Sequence, residues 1–167
     1  MIQLDDLEPL YDEKLPLEPD EDLKDELFDV FKDDFIDNPF MVDTSKVKII
    51  HVKSKLRGFT KYPETFVHII TRKSTISEKR SFEPERANRI HWIKPILLQK
   101  DDTRVKFFKF TDEDGVLKDH YWFQEMDFMI VLKPISKDVL IITAFCVDKL
   151  DRNKYKNRYL EYRKGIK

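Results

Sequence analysis

Glycine is scarce in this chain, with three residues in 167, and the scarcity excludes a good deal. A Gly-rich phosphate loop needs several glycines close together so that backbone N–H groups can close on a phosphate, and no such cluster exists. Few glycines and many aromatics suit a compact sheet with helices better than a linker-rich assembly. Cysteine is rarer still. Cys146 is alone, so no intramolecular disulfide can form and no zinc site of paired cysteines is available. It lies in an apolar run and reads as a buried structural thiol rather than a nucleophile. No segment approaches the roughly 18 apolar residues of a membrane span. The start, MIQLDDLEPL, lacks the basic beginning and apolar centre of a signal peptide. The expectation is a cytoplasmic protein with no membrane partner. G-x-S-x-G and HExxH are also missing.

What the chain does have is charge, unevenly placed. Residues 1–38 hold 15 acids against 3 bases, a net of −12, while residues 39–167 hold 28 bases against 17 acids, a net of +11. Charges of this size that cancel within one chain suggest a basic body suited to polyanions and an acidic segment able to fold onto it. The organisation expected is therefore an acidic N-terminal arm with a short amphipathic helix at 1–38, followed by a basic α+β domain at 39–167.

Residues 104–148 set the fold class. Runs rich in Val, Ile, Phe, Tyr and Trp are separated by TDEDG at 111–115 and KPISKD at 133–138, the pattern of an antiparallel β-meander. Its last run, VLIITAFCV, is continuously apolar and is expected to be a central strand buried on both faces. Thr143 sits in its middle. Helices are expected to pack against this sheet, including a basic, Tyr-rich C-terminal helix from about 150 to 164.

Elsewhere the signals are shorter. Three prolines among acids predict an extended or partly disordered segment over 1–19. Leu23, Leu27, Val30 and Phe31 recur at helical spacing from Asp20, a natural N-cap, to about Ile36. KVKIIHVK at 46–53 alternates like a strand, and the following loop joins cations to Tyr62, a composition suited to phosphate and unstacked bases. TFVHIITRK reads as a β-rich run; were it helical, His68 and Arg72 would share a face. SFEPERANRIHWIKPILLQ at 81–99 has the composition of a helix, with Pro84 in its first turn and Pro95 ending or interrupting it. Arg86 and Arg89 share a face there.

The carboxylates fall mostly in the arm and turns, which argues against a two-metal nuclease. His, Arg, Lys, Thr and Tyr on a basic body suit phosphoryl transfer on RNA without metal or cofactor. The ribose 2′-OH is the nucleophile there, so the protein supplies only a base, a cation and an acid.

FVHIITRK, ERANRIHWIKPIL, HYWFQEMDFMIVL and VLIITAFCVD, followed by the basic helix, together resemble the phage-associated Barnase–EndoU–colicin–RelE-like (BECR-fold) nuclease domains. The resemblance covers roughly residues 46–164. It implies a small RNase or RNase toxin with an antiparallel sheet, helical elements before it and an active site on a concave sheet face. It further implies His68 as general base or acid, Thr143 on the scissile phosphate, and Arg89 with Trp92 binding or stabilising the substrate. Arg72, near His68, and Arg86 join as substrate-binding cations. RNA is the expected partner, with an inhibitor or a phage protein as further ones. Two other readings stand beside this: a catalytically inactive RNA- or protein-binding module of the same fold, and a phage structural accessory whose arm docks on an assembly.

Overall fold

The computed structural model describes residues 2–165. The chain is α+β, and its centre is the meander: β5 (Val105–Thr111), β6 (Leu117–Phe123), β7 (Phe128–Ile135) and β8 (Asp138–Cys146) pair antiparallel in sequence order. Each connection bends through a left-handed residue. Gly115 (φ +77°) closes the acidic TDEDG turn, where glycine adopts that conformation without a Cβ clash; Asp127 (φ +49°) and Ser136 (φ +54°) do the same at the other two.

Two strands precede the meander in sequence and extend it. β1 (Met41–Val42) pairs antiparallel with β2 (Ser45–Lys48), and β2 pairs parallel with β8, giving a curled, mixed six-stranded sheet in the order β1-β2-β8-β7-β6-β5. The strand expected over 46–53 therefore stops at Lys48. The chain then turns away, leaving His51 exposed.

Side chains alternate across the sheet and fill two cores. Phe128, Ile130 and Leu132 of β7 face the larger one, while Met129 and Val131 face the smaller. The runs buried on both faces are thus Lys118–Phe123 of β6 and Phe128–Leu132 of β7. β8 is central, as expected, but Ile142, Thr143 and Phe145 on it are only half-buried. Its neighbour explains this, because helix α5 (Arg152–Gly165) covers that face incompletely, meeting it through Tyr155, Tyr159 and Tyr162.

Helix α1 (Glu21–Lys32) begins where its cap predicts, with the Asp20 carboxylate accepting from the Leu23 amide at 2.8 Å. Its apolar stripe buries Leu27 and Phe31, and Phe31 meets Phe66 of helix α2 (Glu64–Ile70) with ring centroids 5.4 Å apart. A wide π-turn over Asp33–Asp37 carries Phe35 into the same core.

Of two expectations for these segments, one is refined and one fails. Residues 2–19 are extended apart from a 3₁₀ turn at Leu4–Asp6, and they are held down: Leu4, Leu7 and Leu15 are buried, each contributing about 1.5–3 kcal/mol by leaving water. Asn88 clasps the backbone of Tyr11 through both ends of its amide, at 2.8 and 3.0 Å. TFVHIITRK is not a strand but α2 followed by the short strand β3 (Thr71–Lys73), which pairs with β4 (Arg80–Phe82) as a separate hairpin. Alternation over so few residues could not separate the two periods.

The helix expected across 81–99 is broken. Pro84 does open a turn, α3 (Pro84–Ala87), but a 3₁₀ turn over Ile90–Trp92 separates it from α4 (Ile93–Leu98). Pro95 falls in the first turn of α4, where a missing N–H costs nothing, so it marks a helix start rather than an end.

Candidate active site

A cavity of about 310 Å³ opens where α2, the β3–β4 hairpin, α3, β8 and the start of α5 meet. Into it come His68, Arg72, Arg86 and Thr143, four of the six residues singled out from the sequence, drawn from positions up to 75 residues apart.

Each is positioned by its element. α2 is buried at Phe66, Val67, Ile69 and Ile70, and His68 is the one half-buried position in that run. Thr143 owes its direction to an irregularity. Val131 pairs with Thr143 but Leu132 with Ile141, so Ile142 is an extra residue in β8. Strict alternation would put Thr143 on the face of Ile141, in the main core; the bulge turns it to the opposite face, beside Phe145. Arg72 leaves β3 and meets Asp148 at 3.0 Å, with both side chains about half exposed.

Arg86 and Arg80 are the fixed cations. Arg86 donates to the Thr71 carbonyl at 2.7 Å and lies over the Phe145 ring with its guanidinium carbon 5.6 Å from the centroid. Arg80 donates to that same carbonyl, to the Thr71 hydroxyl and to the His68 carbonyl, at 2.9, 3.0 and 3.0 Å. Thr71 in turn donates its hydroxyl to Val67 at 2.6 Å, which locks the end of α2 to the hairpin. Nothing in the sequence singled out Arg80. It lies nine residues beyond Thr71, and only the hairpin, turning through the left-handed Glu78 (φ +58°), brings it back.

These surroundings set the protonation states. Burial, reinforced by Arg80 and then Arg86, pushes His68 down to about 4, so the ring is neutral at pH 7. Burial also lowers Arg86 below the usual arginine value, though it stays fully protonated. Cys146 lines the cavity half-buried, and burial pushes its thiol up to about 11, which keeps it a protonated, unreactive group. The Tyr155 phenol, also lining the cavity, is raised for the same reason. Arg72, Lys73, Arg80 and Arg86 face Asp148 and Asp151, four cations against two carboxylates. The cavity wall thus carries an excess of cations beside a neutral imidazole and the hydroxyls of Thr143 and Tyr155.

Arg89 and Trp92 are elsewhere. Arg89 donates to the Glu85 carbonyl at 2.9 Å and lines a different hollow, beside Tyr11 and Asn88. Trp92 is 1 % exposed, packs edge-on against Phe128 and donates its indole N–H to the Glu8 carbonyl at 3.0 Å, so it is a core residue that pins the arm. Tyr62 is core as well, with its hydroxyl 2.6 Å from Asp25. The acidic arm does not line the cavity; the acids that do are Asp148 and Asp151.

Of the four histidines, only His68 lines this cavity. His51 is exposed, His91 meets the Glu8 carbonyl at 2.7 Å, and His120 is buried, stacked on Phe108 at 4.7 Å. Among the described residues no three His, Cys, Asp or Glu side chains are placed to hold a metal ion. Compared with known proteins, the chain matches no family model, no curated protein and no solved structure.

Proposed function

We propose that the protein is a metal-independent endoribonuclease of the small RNase-toxin type, cleaving RNA by attack of a ribose 2′-OH on the adjacent phosphate. The observation that carries this is the joint presence of His68, Thr143, Arg72 and Arg86 in one cavity. The 2′-OH proton passes to neutral His68, the new O2′–P bond forms, and the charge gathering on the phosphorane meets Arg72, Arg80 and Arg86 with the Thr143 hydroxyl. The P–O5′ bond then breaks, and the leaving oxygen takes its proton from Tyr155, whose phenol burial keeps protonated. The products are a 2′,3′-cyclic phosphate and a 5′-hydroxyl. A phage or prophage setting belongs to the same proposal.

The test is incubation with total RNA and tRNA in EDTA beside His68→Ala. Cyclic-phosphate ends that vanish in the variant support the assignment. Retained cleavage in a folded His68→Ala protein removes His68 from the chemistry.

A second reading, RNA binding without cleavage on the same face, draws on the committed state of the cations. Arg80 and Arg86 are bonded to backbone carbonyls and Arg72 to Asp148. Salt-sensitive RNA binding with no cleavage at any protein concentration favours it.

A further inference from the structure

The basic helix α5 is only partly accounted for by the cavity. It carries six cations against one acid, Glu161. Arg152 pairs with Asp127 at 3.0 Å, Lys154 with Asp151 at 3.6 Å and Lys164 with Glu161 at 3.8 Å. Among the described residues Lys156, Arg158 and Arg163 have no carboxylate within 4.0 Å.

The helix also joins two hollows. Tyr155, in its first turn, lines the cavity that holds His68. Tyr159 and Tyr162, four and seven residues on, continue the same stripe and line a second hollow of about 400 Å³ beside the edge strand β5, together with Lys106, Phe107 and Arg163. At a rise of about 1.5 Å per residue, Tyr155 and Tyr162 stand roughly 10 Å apart along the axis. Cations accompany the rings, with Lys154 4.8 Å from the Tyr155 centroid and Lys106 5.8 Å from that of Tyr159. Lys100, Asp101 and Asp102 also line the second hollow, but Lys100 pairs with Asp43 and Asp101, and Asp102 with Arg104. Lys106, which donates to the Thr103 carbonyl at 2.9 Å and keeps two further N–H donors, and Arg163 are the cations of this hollow with no carboxylate partner among the described residues.

Half-buried tyrosines closing a small core explain the rings by themselves. They do not explain uncompensated cations alongside those rings on a path that begins at a cation-rich cavity. Successive phosphates alternating with stackable bases fit that arrangement, and a duplex, whose bases are already stacked, does not.

We propose that α5 and the neighbouring edge of β5 form a track for single-stranded RNA leading away from the cavity, with Tyr159 and Tyr162 meeting bases and Lys106, Lys156 and Arg163 meeting phosphates. This rests on the RNA-cleavage reading of the cavity. The test leaves the tyrosines intact and neutralises two exposed-side cations, in Lys106→Gln/Arg163→Gln. The probes are a cleavable dinucleotide and a 2′-O-methylated, uncleavable RNA strand of about eight nucleotides. The expected result is about a tenfold weaker affinity for the strand, a binding-versus-salt slope shallower by roughly 1.4, and unchanged dinucleotide cleavage. Unchanged strand affinity in the folded variant overturns the track. Equal losses for the strand, a duplex and heparin overturn the single-strand assignment. If the unmodified protein cuts nothing yet binds the strand, and the variant binds it about tenfold less, the track stands and the cleavage reading falls. No strand binding by the unmodified protein overturns the track, and dinucleotide cleavage, measured alongside, then upholds or overturns the cleavage reading by itself.

Discussion

Arg80 and Arg86 donate to one acceptor, the carbonyl oxygen of Thr71, at 2.9 and 2.7 Å. Two guanidiniums from different elements are thereby held side by side against α2, within electrostatic reach of His68. A shared acceptor fixes their spacing more firmly than two exposed carboxylates could, because the carbonyl belongs to a buried backbone.

This arrangement predicts how the protein responds to acid. His68 titrates at about 4 in the folded chain, below its unfolded value near 6.5, so the folded state binds fewer protons between those values. Stability is full above about pH 6.5 and declines as pH falls through that window, by on the order of 3 kcal/mol at pH 4. Arg80→Met should raise the histidine value only partway towards 6.5, since burial is its larger cause. Proton NMR titration of the His68 ring checks both, and a wild-type value near 6.5 would contradict the geometry. The acid limb of RNA cleavage should move with it.

Thr143 offers a cleaner probe of chemistry. Thr143→Val keeps the shape and removes the hydroxyl, and it should lower kcat/KM for RNA by about 100-fold. Thr143→Ser should restore most of the rate. Thermal unfolding should move little in either. Equal activity in all three proteins would leave the hydroxyl without a role.

The Arg72–Asp148 pair spans the cavity mouth with both partners half exposed, so it adds little to stability, at most about 1 kcal/mol. Asp148→Asn frees the guanidinium for a phosphate. Inorganic phosphate, or a nucleotide monophosphate, should bind several-fold more tightly at low salt by calorimetry, with no change in unfolding. Weaker binding would mean that the carboxylate positions Arg72 rather than competing for it.

Trp92→Phe tests the corrected role of that residue. Losing the indole N–H removes one of the two ring nitrogens that meet the Glu8 carbonyl, leaving His91, and should cost about 1 kcal/mol. Proteolysis should reach the arm sooner, and RNA affinity should stay unchanged. A loss of RNA binding with the arm still protected would return Trp92 to the substrate.

Local patterns carried much of the fold. The four meander strands follow from their β-rich runs and polar breaks, α1 from Asp20 and its leucine–phenylalanine stripe, and α5 from its basic, Tyr-rich composition. Those elements are decided by near neighbours along the chain. His68, Arg72, Arg86 and Thr143 were also marked by residue type and by the resemblance of their motifs, and they do share a cavity. Arg89 and Trp92, from the same stretch as Arg86, do not, because the break at Ile90–Trp92 turns the backbone and sends the indole into the core. Arg80 was illegible for the converse reason, since its place depends on a hairpin whose turn residue is not a glycine. The direction of Thr143 depends on one unpaired residue in a ladder formed between distant strands. Long periodicity and a capping residue are local properties, so strands and helices that have them can be read along the chain, and so can the charge. Which side chains meet cannot, because that rests on register, on a bulge and on buried backbone acceptors whose partners lie far away along the chain.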